Sequence, residues 1–560
     1  MPELTKKAFA SLKELIRKHP YSLVFLVAAL AWLPVLFIPF INDDYQILGY
    51  HSGKGWVSLL RPFYSPDVSG FYWRPLGNLL HPLIMLTVGF HPFAYRLASL
   101  ILYGSCCVLI ARAGESLGLE RRYAVSGAIL FAVLPSHEYQ VAWIADHGES
   151  LVTVLLLAAF YFYVKKSNQD SLPVKGAYSF YLLLLLAALV KESAFAGILI
   201  PIIALLLDKN LGRRRLLAAL RDVIIGAVII SFILAFRWVF IGGTPFSSDH
   251  FAHSGALRWL LNFFIYIPLG FFSPEALEVT LSLPKILLAL LFIAIAIITW
   301  LIFLYRRPVL LSKAALRKLS ASLAWFIVFI LPGLPTLMRW YVFTASVGLI
   351  WALVALSECI KKGSPAKRLS FIIILLLVLY SSVYDFSLML RWGGVGRRMN
   401  EALSGLSEAA SGIKTDTLYV WATPDKLDRI PMMKLGTQES IQWGLKNKTI
   451  TVSTPLRSEM SSFQSSIRLV EKTDTSLIFH INNGRFLPYG GTSRAVIKNE
   501  SFEAFSEGVR IKIKTFLDAR NIPQSVAGLY FQKTLRKPQL YFDGRQFLRI
   551  DREEKRDIPF

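Results

Sequence analysis

Cysteine is nearly absent from this chain: three in 560 residues, Cys106, Cys107 and Cys359. All three sit in or beside apolar runs, where a thiol packs as a small hydrophobe. Their spacing fits neither a disulfide framework nor a metal site. Charge is scarce too, at 18% of residues, and acid is the scarcer sign. There are 37 Asp and Glu against 61 Lys and Arg, a formal net charge of +24. In a soluble protein that excess would point to nucleic acid, but no nucleic-acid-binding motif accompanies it. Internal repeats and low-complexity tracts are missing, which excludes solenoids and arrays. No small-residue cleavage site follows the first apolar run, so that run reads as a retained span.

What is abundant is apolar. Hydrophobic residues make up 54% of the chain and the mean hydropathy is +0.49. Apolar runs near twenty residues long recur through the first two-thirds, the signature of transmembrane helices. They fall near 21–41, 93–112, 122–136, 149–165, 177–190, 193–208, 222–241, 284–305, 319–336, 341–358 and 369–390. The expected architecture is a multispanning α-helical membrane protein of about 11 helices. Lys6, Lys7, Lys13, Arg17 and Lys18 precede the first run and place residues 1–20 in the cytoplasm. Every second connection is then basic, from Arg121 and Arg122 through Arg213–Arg215 to Lys361 and Lys362. That alternation accounts for the net charge as basic loops facing inward. It places the first long loop, 42–92, outside.

An odd number of spans also puts the tail outside. Its composition shifts abruptly after about Arg391. "TLYVWATPD", "SLIFHINNGRFLPY" and "KPQLYFDGRQFLRI" read as short strands between turns, whereas "SFEAFSEGVRIKIKTFL" is ambiguous. The expected organisation is a basic N-terminus at 1–20, a membrane domain at 21–398 and an extracytoplasmic α+β domain at 399–560. Basic residues outnumber acidic ones in that domain, and it holds no recognisable catalytic motif.

Polar groups gather where spans leave the membrane on the outer side. "NDDY" supplies Asp43 and Asp44 at the end of the first run, and "YWRPL" supplies Arg74. "PSHEYQVAWIADHGES" supplies His137, Glu138, Asp146, His147 and Glu149. "LVKESAF" supplies Lys191 and Glu192, and "PTLMRWYVF" supplies Arg339. Charges at span ends are costly, which makes them functional candidates; each alone also reads as an interfacial anchor or a structural ion pair. Together they suit sugar transfer from a polyprenyl phosphate. Such a leaving group needs cations rather than a strong acid. The attacking hydroxyl needs a base, and a carboxylate can serve.

The motifs "NDDY", "YWRPL", "PSHEYQVAW", "LVKESAFAGILIPIIALLLD" and "RWYVFTASVGLIWAL" occur in an order that resembles GT-C-type glycosyltransferases. The likeness is to the membrane part of tetratricopeptide-containing O-mannosyltransferases and their bacterial relatives. Protein O-mannosyltransferases and the aminoarabinose transferases that modify lipid A are more distant. The resemblance covers roughly residues 20–360; the tail is not tetratricopeptide-like. Trp340 and Ser193 stand where related sequences have tyrosine and threonine, which bears on specificity rather than chemistry.

The resemblance implies an inverting transferase in the cytoplasmic membrane, bacterial by its relatives. Its donor would be a polyprenyl-phosphate-linked sugar, and its acceptor a hydroxyl of a glycan, lipid or protein. Asp43 would be the base. Asp44 would orient it or hold the acceptor, or else cap the helix that begins at "YQIL". Lys191, Arg74 and Arg339 would meet the donor phosphate, with an ion pair, a loop brace and snorkelling as their respective alternatives. His137, Glu138, Asp146 and Glu192 would position substrate. No metal or other cofactor is expected; a divalent ion at His137, Glu138, Asp146 and His147 is the alternative. Trp143, Tyr72 and Trp73 read as sugar-stacking rings or as an interfacial belt. Competing functions are a lipid-linked oligosaccharide ligase or polymerase, and a lipid or sugar transporter. A transporter would place its polar residues at mid-membrane, with repeat symmetry.

Overall fold

The computed structural model describes residues 18–550 apart from 54, 67–71, 168–173, 210–211, 242–254, 272–311, 336, 361–364, 414, 429, 434–436, 447–448, 455, 474–475, 489–500, 507–508, 518–521 and 532–538. The chain divides into two compact units. One is Met1–Leu36 with Lys54–Met389; the other is Phe37–Gly53 with Leu390–Phe560. The Asp43–Asp44 segment thus folds with the C-terminal residues, although in sequence it opens the first long loop of the expected membrane domain.

The first unit is helical. Among the described residues six helices are long and apolar enough to cross a membrane. They are Pro92–Ser116, Ile144–Lys165, Arg213–Val239, Lys313–Gly333, Val342–Cys359 and Ile374–Ala409, the last continuing into the second unit. Shorter apolar helices occupy Pro20–Ala31, Ala177–Val190, Glu192–Leu205 and Ala256–Leu269. By its helices the chain is an integral membrane protein. The expected span at 284–305 lies outside the described residues. Others are shorter or less regular than their hydropathy indicates. The run at 21–41 is α-helical over Pro20–Ala31 and turns 3-10 over Leu33–Phe37. The run at 122–136 is helical over Arg121–Ala132, twelve residues. At 1.5 Å per residue that is about 18 Å, short of the hydrocarbon core of about 30 Å. Pro135 disfavours helix in the residue before it and opens a 3-10 turn instead. The run at 193–208 begins as a 3-10 helix, Glu192–Leu199, before α-helix Ile200–Leu205.

Indole donors tie these helices together. Trp32 Nε1 donates to the Ala132 carbonyl at 2.9 Å and Trp351 Nε1 to the Ile110 carbonyl at 3.1 Å. Trp325 Nε1 donates to the Thr344 carbonyl at 2.8 Å. A buried Trp needs such a partner, so each bond also fixes which helix faces which. Gly348 brings Val342–Cys359 against Lys313–Ile330: a Cβ there would collide with the Ser322 carbonyl oxygen and lie 2.6 Å from Phe326 N. Cys106, Cys107 and Cys359 are free thiols.

The second unit contains thirteen strands among its described residues: β1 (Thr417–Trp421), β2 (Thr423–Leu427), β3 (Ile430–Pro431), β4 (Thr451–Ser453), β5 (Leu456–Met460), β6 (Ser466–Lys472), β7 (Ser476–Asn482), β8 (Gly484–Pro488), β9 (Ser501–Ser506), β10 (Val509–Leu517), β11 (Pro523–Phe531), β12 (Gln539–Phe542) and β13 (Phe547–Arg549). They form three sheets, ordered β13-β12-β1-β4, β6-β7-β11-β10-β9 and β3-β2-β5-β8. The ambiguous "SFEAFSEGVRIKIKTFL" is an antiparallel pair, β9 and β10. "VRIKIK" alternates with period two: Val509, Ile511 and Ile513 are buried, and the cations between them face out. Strand β1 runs parallel to both β4 and β12. A parallel pair requires a crossover, and helix Thr437–Gly444 lies within the one between β1 and β4.

Candidate active site

Asp43 and Asp44 sit at a tight turn in the second unit. Asn42 takes a left-handed backbone, φ 52°, a conformation that asparagine tolerates better than most residues. Its N–H donates to the Met432 carbonyl at 2.8 Å, pinning the turn beside β3. Asp44 N–H donates to the Ile41 carbonyl at 3.0 Å, and Ile41 N–H donates to Asp44 Oδ2 at 3.1 Å. That reciprocal pair closes the turn and starts helix Asp44–His51. Asp43, at the N-cap position, makes no side-chain capping bond; its Oδ1 accepts from Asn42 Nδ2 at 2.9 Å. Both carboxylates are buried. Tyr45 anchors the helix, donating to Asn400 Oδ1 at 3.3 Å and meeting Trp443 edge to face at 6.2 Å.

In the first unit the structure gathers a second set of charges. Lys191 Nζ lies 2.9 Å from Glu149 Oε2 and 3.2 Å from Asp146 Oδ1. Gln140 donates to Asp146 Oδ2 at 2.9 Å. Ser193 and Thr344 donate to the two oxygens of Glu149 at 3.1 and 3.0 Å. All three residues are buried. Burial pulls the Lys191 pKa down, but Glu149 and Asp146 lift it by more, and it ends above its ordinary value. Lys191 is charged, with two carboxylates on it.

Glu192, the next residue, faces two guanidinium groups. Arg74 approaches its Oε2 through Nη2 at 2.7 Å and Nε at 2.9 Å, and Arg237 Nη1 lies 2.5 Å from its Oε1. Arg74 also stacks on the Tyr72 ring, 4.0 Å from its centroid, with Arg237 at 5.8 Å. The loop carrying Arg74 lies directly on the Val190 backbone. Leu76 N–H donates to the Leu189 carbonyl at 3.1 Å, and a Cβ at Gly77 would run into the Val190 carbonyl. That contact sets Arg74 beside Glu192. Two cations meet on the one acid Glu192, whereas two acids meet on the one cation Lys191.

His137 is fully buried. Its Nδ1 lies 3.0 Å from Tyr103 Oη and 3.2 Å from the Phe131 carbonyl, and its Nε2 3.2 Å from Ser346 Oγ. Burial pushes its pKa down to about 3, against the Phe131 carbonyl, which favours the charged ring. His147 lies elsewhere, stacked on His81 with centroids 5.3 Å apart and 2.7 Å from Ser99 Oγ. Glu138 is buried and acts electrostatically on Asp385, whose two carboxylate oxygens have no hydrogen-bond partner among the described residues. Among the described residues no three His, Cys, Asp or Glu side chains are grouped to hold a metal ion. Arg339 begins the 3-10 turn Arg339–Tyr341; its side chain lies outside the described set. Trp143 packs on Trp340 at 5.5 Å, and Trp73 on Phe236 at 6.0 Å.

Sequence reading named Glu149 but left it out of the site, and it missed Arg237 and Thr344. Arg237 had a signal, a lone cation inside the apolar run 222–241. Thr344 had none, since a hydroxyl in an apolar helix is common.

No family model matches the chain. Over 158 residues, 27% of this chain and 17% of the relative, it is 28% identical to Protein O-mannosyl-transferase TMTC3 of Mus musculus. It is 29% identical to the Homo sapiens protein of that name over 99 residues, 18% of this chain and 11% of the relative. The matched stretches span less than a fifth of these curated relatives. Among solved structures, the archaeal oligosaccharyltransferase AglB from Archaeoglobus fulgidus, in complex with an inhibitory peptide and a dolichol-phosphate, aligns at TM-score 0.40 and 13% identity. That alignment covers 78% of this chain and 65% of AglB. ArnT from Cupriavidus metallidurans, bound to undecaprenyl phosphate, aligns at TM-score 0.41 and 15% identity over 81% of this chain and 96% of ArnT. The O-mannosyltransferase likeness read from the motifs is met by these curated relatives.

Proposed function

We propose that the chain is a membrane glycosyltransferase that moves a sugar from a polyprenyl phosphate to an acceptor hydroxyl, with inversion at the anomeric carbon. The observation that carries this reading is the pair of guanidinium groups sharing Glu192. A phosphate oxyanion leaving the anomeric carbon gains charge, and preorganised guanidinium groups stabilise it. The similarity to O-mannosyl-transferases supports the same class of reaction.

Each group then has a role. The Asp43 carboxylate takes the proton of the acceptor hydroxyl. That oxygen bonds to the anomeric carbon as the carbon–oxygen bond to phosphate breaks. The polyprenyl phosphate departs as the anion, met by Arg74 and Arg237, with Arg339 as a further cation. Asp44 holds the turn that presents Asp43. Lys191, with Asp146 and Glu149 on it, orders the wall of the site, and its carboxylate partners and Glu138 address sugar hydroxyls. His137 stays neutral and braces that wall. The site works at the outer face of the cytoplasmic membrane and uses no metal.

The test is transfer by the purified full chain from a panel of radiolabelled polyprenyl-phosphate hexoses and pentoses. The reading requires a labelled product whose anomeric configuration is opposite to the donor's. A product of retained configuration would overturn the mechanism. Net movement of intact donor across sealed vesicles, without transfer, would establish a transporter instead.

A further inference from the structure

The five-stranded sheet of the second unit has one buried and one open face. Leu477, Phe479 and Ile481 on β7, Ile511 and Ile513 on β10, and Ala527 and Leu529 on β11 are buried. The opposite face is a grid fixed by strand register. Arg468 pairs with His480, His480 with Val526, and Val526 with Lys514. Glu471 pairs with Ile478, Ile478 with Gly528, and Gly528 with Lys512. In the third row Tyr530 pairs with Arg510.

Three features of this grid go together. First, Arg510, Lys512 and Lys514 are exposed at alternate positions of one strand, about 6.8 Å apart along it at about 3.4 Å per residue. Arg468 adds a fourth exposed cation across the sheet. Glu471 occupies the row of Lys512. Second, Tyr530 is 41% exposed, with Lys512 Nζ 5.9 Å from its ring centroid. Third, the residue paired with both Lys512 and Ile478 is Gly528, two positions from Tyr530 on the same strand and without a Cβ. Burial and the neighbouring Arg468 lower the pKa of the half-buried His480, so at neutral pH the arginines and lysines supply the positive charge.

We propose that this open face of the β6-β7-β11-β10-β9 sheet docks an acidic glycan, its carboxylates on Arg510, Lys512, Lys514 and Arg468 and a sugar ring on Tyr530 beside Gly528. The argument is charge complementarity joined to an aromatic platform. Cations spaced along a strand suit a polymer with charge at intervals, and an exposed ring two positions from a glycine suits the flat face of a pyranose. An anionic lipid surface is the less suited partner. It needs apolar side chains to insert, and the large apolar residues exposed on these strands are Val470 and Tyr530 alone among the described residues. The inference goes beyond sugar transfer and stands without it.

The experiment uses the full chain in phosphatidylcholine nanodiscs, with polygalacturonate as probe and its fully methyl-esterified form as the uncharged control. Binding is read directly, and protection of Lys512 and Lys514 from acylation is read by mass spectrometry. The acid form should bind and protect both lysines, and the ester should do neither. Lys512→Gln with Lys514→Gln should weaken binding at least tenfold, Tyr530→Ser should weaken it too, and Lys512→Arg with Lys514→Arg should retain it. These side chains are exposed, and unchanged thermal melting would confirm that each variant folds. Equal binding of acid and ester, or no loss in the double glutamine variant, would overturn the proposal. So would protection seen only in phosphatidylglycerol nanodiscs without polymer, which would assign the face to the membrane.

Discussion

Asp43 and Asp44 are neighbours in sequence but are held differently. Asp44 is engaged by the Ile41 N–H and closes the turn, while the Asp43 bond in view is to the adjacent Asn42 side chain. Asp44→Ala should therefore lower stability by about 1 kcal/mol, the range of a lost local side-chain-to-backbone bond, read as a shift in thermal melting. Lys191 carries a heavier structural load. Lys191→Met would strand Asp146 and Glu149 in a buried site, at about 3–5 kcal/mol, measured by unfolding in detergent. Asp385 gives the opposite expectation. A buried carboxylate with no hydrogen-bond partner is unfavourable, so Asp385→Asn should melt at or above the wild-type temperature. His137 links stability to pH. Its folded pKa of about 3 lies below its ordinary value of 6.5, so as pH falls through that window the unfolded chain takes the proton first. Stability should drop by about 2 kcal/mol between pH 7 and pH 5, at about 1.36 kcal/mol per pH unit below about 6.5. Melting curves of His137→Gln should lack that component; an identical pH slope in wild type and variant would refute it.

At the scale of elements, close backbone approach decides the packing. Gly348 lets Val342–Cys359 touch Lys313–Ile330, and the contact atoms are backbone, which cannot swing aside. Gly348→Val should destabilise the chain by about 1–3 kcal/mol, as overpacked cores do, and should lower the yield of folded protein from detergent. Much at this scale was legible in the sequence. The apolar runs at 93–112, 222–241 and 341–358 appear as long helices, because twenty consecutive apolar residues have few other folds. The runs at 122–136 and 193–208 were read too long, since hydropathy does not register a 3-10 turn or the effect of Pro135. Strand β10 was legible through its strict alternation, but "SFEAF" before it fits either period, which left the pair ambiguous.

At the scale of the molecule, sequence order says little about which residues share a unit. Residues 37–53 fold with the C-terminal unit through contacts such as Asn42 to Met432 and Tyr45 to Asn400, each pair far apart in the chain. No local pattern encodes such a pairing. The charged groups of the site were legible because a carboxylate or an amine at the end of an apolar run is conspicuous. Their partners were not, because pairing depends on the fold. Lys191 and Arg74 stood out in "LVKESAF" and "YWRPL" as phosphate cations, whereas the meeting of Arg74 with Arg237 on Glu192 shows only in the fold. Arg237→Gln should therefore reduce transfer more than tenfold at limiting donor, as expected when a charge-assisted bond worth about 1.5–3 kcal/mol is lost. An unchanged donor dependence would remove the guanidinium pair from the account.

The most direct test of the account is transfer from a radiolabelled polyprenyl-phosphate sugar to a native membrane extract, comparing wild type with Asp43→Asn after equal insertion and melting have been shown. Loss of a general base costs about 10²–10⁴ in rate, so the variant should fall at least a hundredfold below wild type. Transfer by Asp43→Asn at the wild-type rate would contradict the account and move the base to another residue.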